Sequence, residues 1–288
     1  MNKLKPMKRI IMILFSLISL TKAQDATNLY ADSIPNTTDN PQALTEKNVP
    51  KIFAYIPEGP AIKNIAVLVI PGGGYSHIAM DHEGHAVAKE LVKNGYAAYV
   101  LQYRLPSPNI MRDKSIGPLQ DAQRAMQLIR TTHPEFKKVG VIGFSAGGHL
   151  ASTLITKFKK DYISNPGHIS LRPDFAGLIY PVISMENDVT HKGSRINLIG
   201  ENPSEDMIKL FSSDLQVSSD VCPVFFVHAK DDTAVPIENS YRMMAALDKA
   251  HVANKLYTFK QGGHGFGLIN KTSDKMWFDA FLSWLSQL

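Results

Sequence analysis

Short apolar runs alternate with longer amphipathic segments along most of the chain. The runs at 65–70, 138–144 and 224–228 are almost entirely apolar and are bounded by turn residues, which predicts strands covered on both faces. Between the runs, apolar residues recur every three or four positions, which is the spacing of helices with one buried face. Strands are predicted at 65–70, 97–103, 138–144, 175–180, 224–228 and 255–259, and helices at 81–94, 116–132, 146–157, 237–250 and 274–287.

This alternation predicts an α/β fold. Strands separated by helices of about a dozen residues require parallel crossovers, which place helices on both faces of one mostly parallel central sheet. The segment 184–217 breaks the alternation because it is longer and more polar than a simple connection, with one short helix predicted at 206–211. We expect it to form a small insertion over the carboxyl edge of the sheet, where open α/β folds place their sites.

The first 50 residues have a different pattern. Residues 1–23 carry five basic side chains and no acidic one, an apolar run at 10–20, and small residues before Ala23. This is the layout of a secretory signal peptide, and the run is shorter than the roughly 20 residues that span a bilayer. We expect cleavage near Ala23 and a secreted or periplasmic protein without stable membrane association; an uncleaved anchor is the alternative. Residues 24–50 form a polar N-terminal segment, and 51–288 form the main domain.

Charge and composition exclude several functional classes. The chain has 31 basic and 26 acidic residues, but five of the basic ones lie in 1–23, so the remainder is balanced. A balanced domain gives no electrostatic case for binding nucleic acid or an anionic membrane. The 44% apolar content is that of a globular protein, and the single cysteine, Cys222, cannot form an intrachain disulfide. The oligomeric state is left open.

The most informative motif is Gly-Phe-Ser-Ala-Gly at 143–147, between a predicted buried strand and a predicted helix. A sharp strand-to-helix turn strains the backbone of its central residue and requires small neighbours. Ser145 would then project above the carboxyl edge of the sheet as a nucleophile. The backbone N–H of Ala146 would point to the same place, where the positive end of the helix favours an oxyanion. The alternative is that the small residues only permit close packing of the helix on the sheet.

A serine nucleophile needs a base and an orienting carboxylate, and both are available downstream. His264 lies between glycines after the last predicted strand, and Asp231 and Asp232 follow the strand before it. Because the order serine, acid, histidine is the one expected on this kind of sheet, we predict His264 as the base and Asp232 as the acid. Asp231 stays open, since adjacent loop residues point in different directions.

The glycine-rich turn at 71–75 follows the strand at 65–70. Consecutive glycines let a backbone approach a ligand closely, so Gly73 or Gly74 is expected to supply the second oxyanion donor. The turn matches neither of the glycine patterns that bind nucleotide phosphates. No nucleotide is therefore expected to bind at this turn, and a serine mechanism of the kind described above requires no cofactor.

Together these residues resemble the α/β-hydrolase superfamily, in particular bacterial esterases and lipases of the carbohydrate (acetyl-xylan) esterase type. The match extends from about Ile52 to the C-terminus. Pro71 departs from the hormone-sensitive-lipase branch, which has histidine before the glycines, so the chain is placed outside that branch. The segments that carry the resemblance are 70–75, 81–84, 103–106, 118–122, 143–150, 228–236 and 262–266.

The resemblance implies a secreted serine esterase that removes acetyl groups from plant polysaccharides such as xylan, or from their oligosaccharides, through an acyl-enzyme. It assigns Ser145 as nucleophile, Asp232 as acid and His264 as base, with oxyanion donors from the glycines after Pro71 and from Ala146. Feruloyl or other small acyl esters are alternative substrates. A noncatalytic carbohydrate-binding protein on the same fold is the alternative of a different class, although such a protein has no need of the full set of residues.

Several further residues are candidates for binding or structure. Tyr75 and Phe266 are aromatic residues that could line a sugar site, and His149 is expected to be a packing residue. A group of acidic residues and histidines could bind zinc, but a simpler interpretation is that Asp81 caps a helix and Glu83 is favoured by the helix dipole. That group consists of His77, Asp81, His82, Glu83 and His85.

Overall fold

One eight-stranded sheet organises the residues that the structure, a computed structural model, describes: 26–39, 44–46, 48–59 and 62–288. The predicted signal peptide, residues 1–23, lies outside these residues. The strand order is β1-β2-β4-β3-β5-β6-β7-β8; β1 and β2 are antiparallel to their neighbours, and the other strands are parallel. The strands are β1 (Thr27–Asn28), β2 (Lys51–Tyr55), β3 (Ile65–Ile70), β4 (Ala97–Gln102), β5 (Lys138–Phe144), β6 (Ala176–Ile179), β7 (Val224–Ala229) and β8 (Asn254–Phe259).

Seven α-helices are found in this part of the chain, and none of them is long and apolar enough to cross a membrane. A π-helical turn, Met80–His85, leads into the first helix, and a 3-10 turn, Ser213–Gln216, follows the fifth. The helices are α1 (Ala86–Lys93), α2 (Gly117–Thr132), α3 (Ser145–Lys157), α4 (Lys192–Ile199), α5 (Glu205–Phe211), α6 (Glu238–Lys249) and α7 (Trp277–Leu285).

The sheet is buried on both faces. Along β3, Leu68 and Ile70 belong to one apolar core, which includes residues of α2, α3 and α6, whereas Val67 and Val69 belong to a second core with α1 and α7. Successive strand residues point to opposite faces, so a fully apolar strand requires cover on both sides. The predicted α/β architecture with a mostly parallel sheet and helices on both faces is confirmed.

The helix predicted at 81–94 is present, but it begins differently from the prediction. Its first turn is π-helical, the N-cap is Ala79, and no side chain caps the turn. The expectation that Asp81 caps this helix is therefore wrong. Glu83 lies in this first turn, and its side chain is buried.

Residues 26–39 pack against the domain over a buried ion pair. Arg104 and Asp121 are fully buried, 2.8 Å apart, and the Tyr30 hydroxyl donates to the same Asp121 carboxylate. Leu29 is buried in the first apolar core. Because a buried ion pair is stabilising only when its remaining polar atoms are bonded, the N-terminal segment completes the environment of this pair.

The thiol of Cys222 lies just before β7 and is completely buried. Burial raises the pKa of this thiol to about 12. The thiolate is the reactive form of cysteine, so the folded protein keeps Cys222 unreactive.

The segment 184–217 lies over the carboxyl edge of the sheet, as predicted. It contains α4, α5 and the 3-10 turn. The Asn197 side chain donates a 2.8 Å hydrogen bond to the carbonyl of Gly74, and His149 donates a 2.7 Å bond to the carbonyl of Phe211. These two bonds join the insertion to the glycine turn after β3 and to α3.

Candidate active site

Ser145 occupies the turn between β5 and α3. Its φ is 51°, a left-handed conformation that costs energy for a residue with a Cβ. The turn brings the helix so close to the neighbouring strand that a Cβ on Gly147 would lie 2.3 Å from the carbonyl oxygen of Ile70. Glycine is therefore required at 147, and the strained turn presents the Ser145 hydroxyl at the end of the strand.

His264 and Asp232 meet Ser145 at this edge. The Ser145 Oγ is 2.8 Å from Nε2 of His264, and Nδ1 of His264 is 2.7 Å from Oδ2 of Asp232. The three side chains come from the loops after β5, β7 and β8, so the parallel sheet brings distant parts of the chain together. The structure thus places the three predicted residues in one continuous hydrogen-bonded series.

Asp231, the open alternative, bonds elsewhere. Its carboxylate accepts hydrogen bonds from the backbone amides of Gly262 and Gly263, at 3.2 and 2.9 Å. It therefore supports the loop that carries His264 without touching the imidazole.

The environment of Asp232 keeps its carboxylate ionised. Although burial raises its pKa, hydrogen bonds from His228, His264 and the amide of Val235 outweigh burial and hold that pKa below its ordinary value. The His228 ring is itself fixed by bonds to Ser240 Oγ and to the Val235 carbonyl, at 2.8 and 2.9 Å. An ionised Asp232 accepts a hydrogen bond from the N–H at Nδ1 of His264, which leaves the lone pair of Nε2 directed at the Ser145 hydroxyl.

Three backbone amides near Ser145 are free to bind an anion. The amides of Gly73, Gly74 and Ala146 donate to no acceptor within the described residues, whereas that of Gly72 is taken by Glu83 at 2.7 Å. Ala146 is in the first turn of α3, where the helix dipole is positive. The arrangement can stabilise negative charge beside the serine hydroxyl.

Tyr75 does not face this cleft, which corrects the expectation that it contacts substrate. Its side chain is buried, and its hydroxyl donates a 2.8 Å bond to Nδ1 of His149. The other ring nitrogen of His149 donates to the carbonyl of Phe211. Burial lowers the pKa of His149 to about 4, so the ring stays neutral at ordinary pH. Tyr75 and His149 therefore support the glycine turn from within the protein, and the prediction that His149 is a packing residue agrees with its burial.

Sequence reasoning did not identify Glu83 and Tyr180 as part of the site. Glu83 Oε1 accepts a 2.8 Å bond from the Tyr180 hydroxyl, while its Oε2 accepts the Gly72 amide. The Tyr180 ring packs edge-on against the His264 ring at 4.9 Å, and burial raises the pKa of Tyr180, so the hydroxyl stays protonated. This network connects the glycine turn to the histidine. The available signal was that Glu83 falls in segment 81–84, one of those that carry the family resemblance.

Phe266 lies on the histidine loop, partly exposed. Its ring packs edge-on against Tyr180 at 4.6 Å and against Phe259 at 5.5 Å. These contacts place Phe266 beside the catalytic candidates, and its contact with substrate stays a prediction.

The residues considered for zinc do not converge. Glu83 is directed inward to Gly72 and Tyr180, and the His85 ring bonds to the Tyr55 hydroxyl at 2.8 Å. Across the described parts of the chain, no three His, Cys, Asp or Glu side chains are grouped as metal ligands would be.

Comparisons with known proteins identify relatives of this chain. The model of the BD-FAE family matches residues 54–247. The chain is 35% identical to endo-1,4-beta-xylanase B of Butyrivibrio fibrisolvens over 229 residues, which cover 77% of this chain and 35% of that protein. It is 34% identical to an acetylxylan esterase of Xylanibacter ruminicola over 232 residues, which cover 78% of this chain and 45% of that one. The chain thus spans less than half the length of these curated relatives.

A solved structure matches nearly the whole chain. It is that of an acetyl ester-xyloside bifunctional hydrolase from Caldicellulosiruptor lactoaceticus, with a TM-score of 0.78 and 34% identity. The match covers 93% of this chain and 96% of the other. The two chains therefore share the fold over the matched part.

Proposed function

Because the chain belongs to the BD-FAE family, we propose that it is a serine esterase that removes acetyl groups from saccharides. The observation that carries the proposal is the hydrogen-bonded series from Ser145 through His264 to Asp232, at 2.8 and 2.7 Å. A hydroxyl becomes an effective nucleophile when a base accepts its proton, and the base needs a carboxylate that orients it.

The proposed reaction has two halves. In the first, His264 accepts the Ser145 proton while Oγ attacks the ester carbonyl, and the amides of Gly73, Gly74 and Ala146 bind the oxyanion. The tetrahedral intermediate then breaks its bond to the alcohol oxygen, which takes the proton from His264 and leaves an acetyl-serine. In the second half, His264 accepts a proton from water while the water oxygen attacks the acetyl-serine. The second tetrahedral intermediate breaks its bond to Oγ of Ser145, which takes the proton back from His264, so that free Ser145 and acetic acid, which ionises to acetate, are formed.

The names of two relatives support the substrate class. One is an acetylxylan esterase and the other an acetyl ester-xyloside hydrolase, each at 34% identity. We accordingly propose acetylated xylan or its oligosaccharides as substrate. A polymer of this kind lies outside the cell, which agrees with the proposed signal peptide in residues 1–23 and export to the periplasm or the exterior.

The test compares wild type, Ser145→Ala and the exposed-site control Ser283→Ala on p-nitrophenyl acetate. We expect Ser145→Ala to lose at least about 10³-fold in kcat and the control to match wild type. An unchanged rate in Ser145→Ala would remove the nucleophile assignment. A wild type without activity that still binds xylan would instead indicate a carbohydrate-binding protein.

The substrate is tested by release from native xylan. Wild type is expected to release acetate in large excess over ferulate, and release of ferulate alone would replace the acetyl assignment by a feruloyl one. Addition of a chelator is expected to leave the rate unchanged, since no step of the proposed reaction uses a metal.

A further inference from the structure

His191, at the start of α4, is close to the proposed reaction centre but has no part in the reaction described above. It is partly exposed, and its Cε1 lies 3.7 Å from the position that a Cβ on Gly74 would take. The ring therefore lies beside the glycine turn that would bind the oxyanion, on the side of the insertion.

The hydrogen bonds of the His191 ring fix its tautomer. His191 is the N-cap of α4, and its Nδ1 accepts the backbone amide of Ser194 at 3.2 Å. A backbone amide can only donate, so Nδ1 holds the lone pair and the proton of the neutral ring is on Nε2. Within the described residues, Nε2 has no hydrogen-bond partner. The ring thus offers one free N–H donor.

The surroundings keep this ring neutral. Burial lowers the pKa of His191, and the nearby His264 lowers it further, against a smaller opposing effect of Asp232. A neutral donor suits contact with a hydroxyl or ether oxygen of a saccharide.

The donor is held in place relative to the glycine turn. Asn197 donates from α4 to the carbonyl of Gly74 at 2.8 Å. The Lys114 ammonium group donates to the carbonyls of Ile196 and Asn197, at 3.2 and 2.7 Å, which satisfies the end of the helix. A preorganised donor loses little entropy when it binds a ligand.

We propose that the N–H at Nε2 of His191 binds an oxygen of the saccharide next to the scissile ester. In the proposed reaction the carbonyl oxygen points to Gly73 and Gly74, and the alcohol oxygen must come within reach of His264. A group beside the glycine turn therefore lies next to the bound ester, on the side of the insertion. His191 makes the site prefer saccharide esters to simple ones. This inference rests on the proposed esterase function.

The test measures substrate preference in His191→Asn. Asparagine keeps an N-cap acceptor for the Ser194 amide but is too short to place a donor where Nε2 lies. The measured quantity is the ratio of kcat/KM on an acetylated xylo-oligosaccharide to kcat/KM on p-nitrophenyl acetate, which has no saccharide oxygen. We expect this ratio to fall roughly tenfold, the effect of one lost hydrogen bond. His191→Gln supplies an amide donor on a longer side chain than asparagine, and we expect it to recover part of the wild-type ratio.

A second measurement does not depend on acyl transfer. Unsubstituted xylo-oligosaccharide should inhibit p-nitrophenyl acetate hydrolysis competitively, and its inhibition constant should rise by a similar factor in His191→Asn. A ratio and an inhibition constant equal to those of wild type would overturn the assignment. An equal loss of activity on both substrates leaves the ratio unchanged and would overturn it as well. A wild-type protein inactive on both esters would refute the proposed function, and the role of His191 with it.

Discussion

Asp231 and Asp232 are adjacent and chemically identical, yet they act on different parts of the histidine loop. Asp232 bonds the imidazole of His264, whereas Asp231 bonds the amides of Gly262 and Gly263. The first contact sets which nitrogen of His264 carries the proton, and the second sets where the loop lies. The pair therefore offers a matched comparison of electrostatic and positional roles.

We predict that Asp232→Asn lowers kcat on p-nitrophenyl acetate by roughly 10³–10⁴-fold at neutral pH. The amide removes the acceptor for the Nδ1 proton, so Nε2 loses its role as base. Asp231→Asn, the same chemical change one residue away, keeps one oxygen, which accepts one of the two loop amides, and is expected to cost less than about tenfold. The reverse order of effects would show that Asp231 is the orienting carboxylate.

At this scale the sequence predicted the positions of Ser145 and His264 because each follows a recognisable strand. It left the choice between Asp231 and Asp232 open, since the direction of a loop side chain depends on backbone angles that spacing does not reveal. The expectation for Tyr75 was wrong for a related reason. A glycine turn can direct the next residue either to the cleft or to the core, and the buried acceptor on His149 makes the inward direction favourable.

At the scale of elements, the π-helical turn before α1 gives the site a second buried carboxylate besides that of Asp232. Glu83 accepts the Gly72 amide and the Tyr180 hydroxyl, which come from the ends of β3 and β6. The Glu83 side chain thereby connects the start of the helix to the ends of two strands. Since Tyr180 also packs on His264, the turn affects both the oxyanion donors and the base.

We predict that Glu83→Gln lowers kcat on p-nitrophenyl acetate by about ten- to a hundredfold, with a smaller change in KM. The amide replaces one acceptor by a donor, so either Gly72 or Tyr180 loses its partner. The control is Glu90→Gln on α1, where the carboxylate pairs with Lys93 near the surface and the exchange should be neutral. Thermal unfolding of both variants shows whether a lower kcat comes from a destabilised fold or from displaced active-site groups. Equal activity in the two variants would contradict a positioning role for Glu83.

The elements that sequence analysis did not predict depend on tertiary contacts. Helix α4 contains Gly193 and is mostly polar, so its own propensity is weak, and it relies on the His191 cap and on the bonds from Lys114. Strand β2 is partly exposed near the antiparallel side of the sheet, and its burial does not alternate. The central parallel strands, buried on both faces, had the clear apolar pattern that made them predictable.

At the scale of the whole molecule, His149 connects three regions. It is part of α3 and bonds both the glycine turn, through Tyr75, and the insertion, through the carbonyl of Phe211. Its neutral form is a property of the folded state, because burial lowers its pKa to about 4 from the ordinary 6.5. Protonation is therefore linked to global unfolding.

We predict that the free energy of unfolding falls as pH decreases from about 6.5 to 4, because the unfolded chain binds a proton that buried His149 does not. The contribution of this residue is about 1.4 kcal/mol per pH unit within that window and about 3 kcal/mol in total. Urea unfolding at several pH values should show a smaller slope in His149→Gln. The same exchange at exposed His82 is the control, and an equal slope in wild type and His149→Gln would contradict the linkage.

The overall architecture was predictable because it depends on periodicity, whereas the contacts that hold the site depend on single distant pairs. Arg104 and Asp121 illustrate the difference. Both fall in segments that carry the family resemblance, but their burial under Tyr30 follows from the path of residues 26–39, which have no periodic pattern.

The buried thiol of Cys222 has a practical consequence for the experiments above. Because it is the one sulfhydryl group in the chain and is shielded from solvent, an alkylating reagent can modify it only in molecules that have opened. The rate of alkylation therefore reports transient opening under native conditions, without an engineered label. It also gives every active-site variant an internal check of structural integrity that is independent of its turnover.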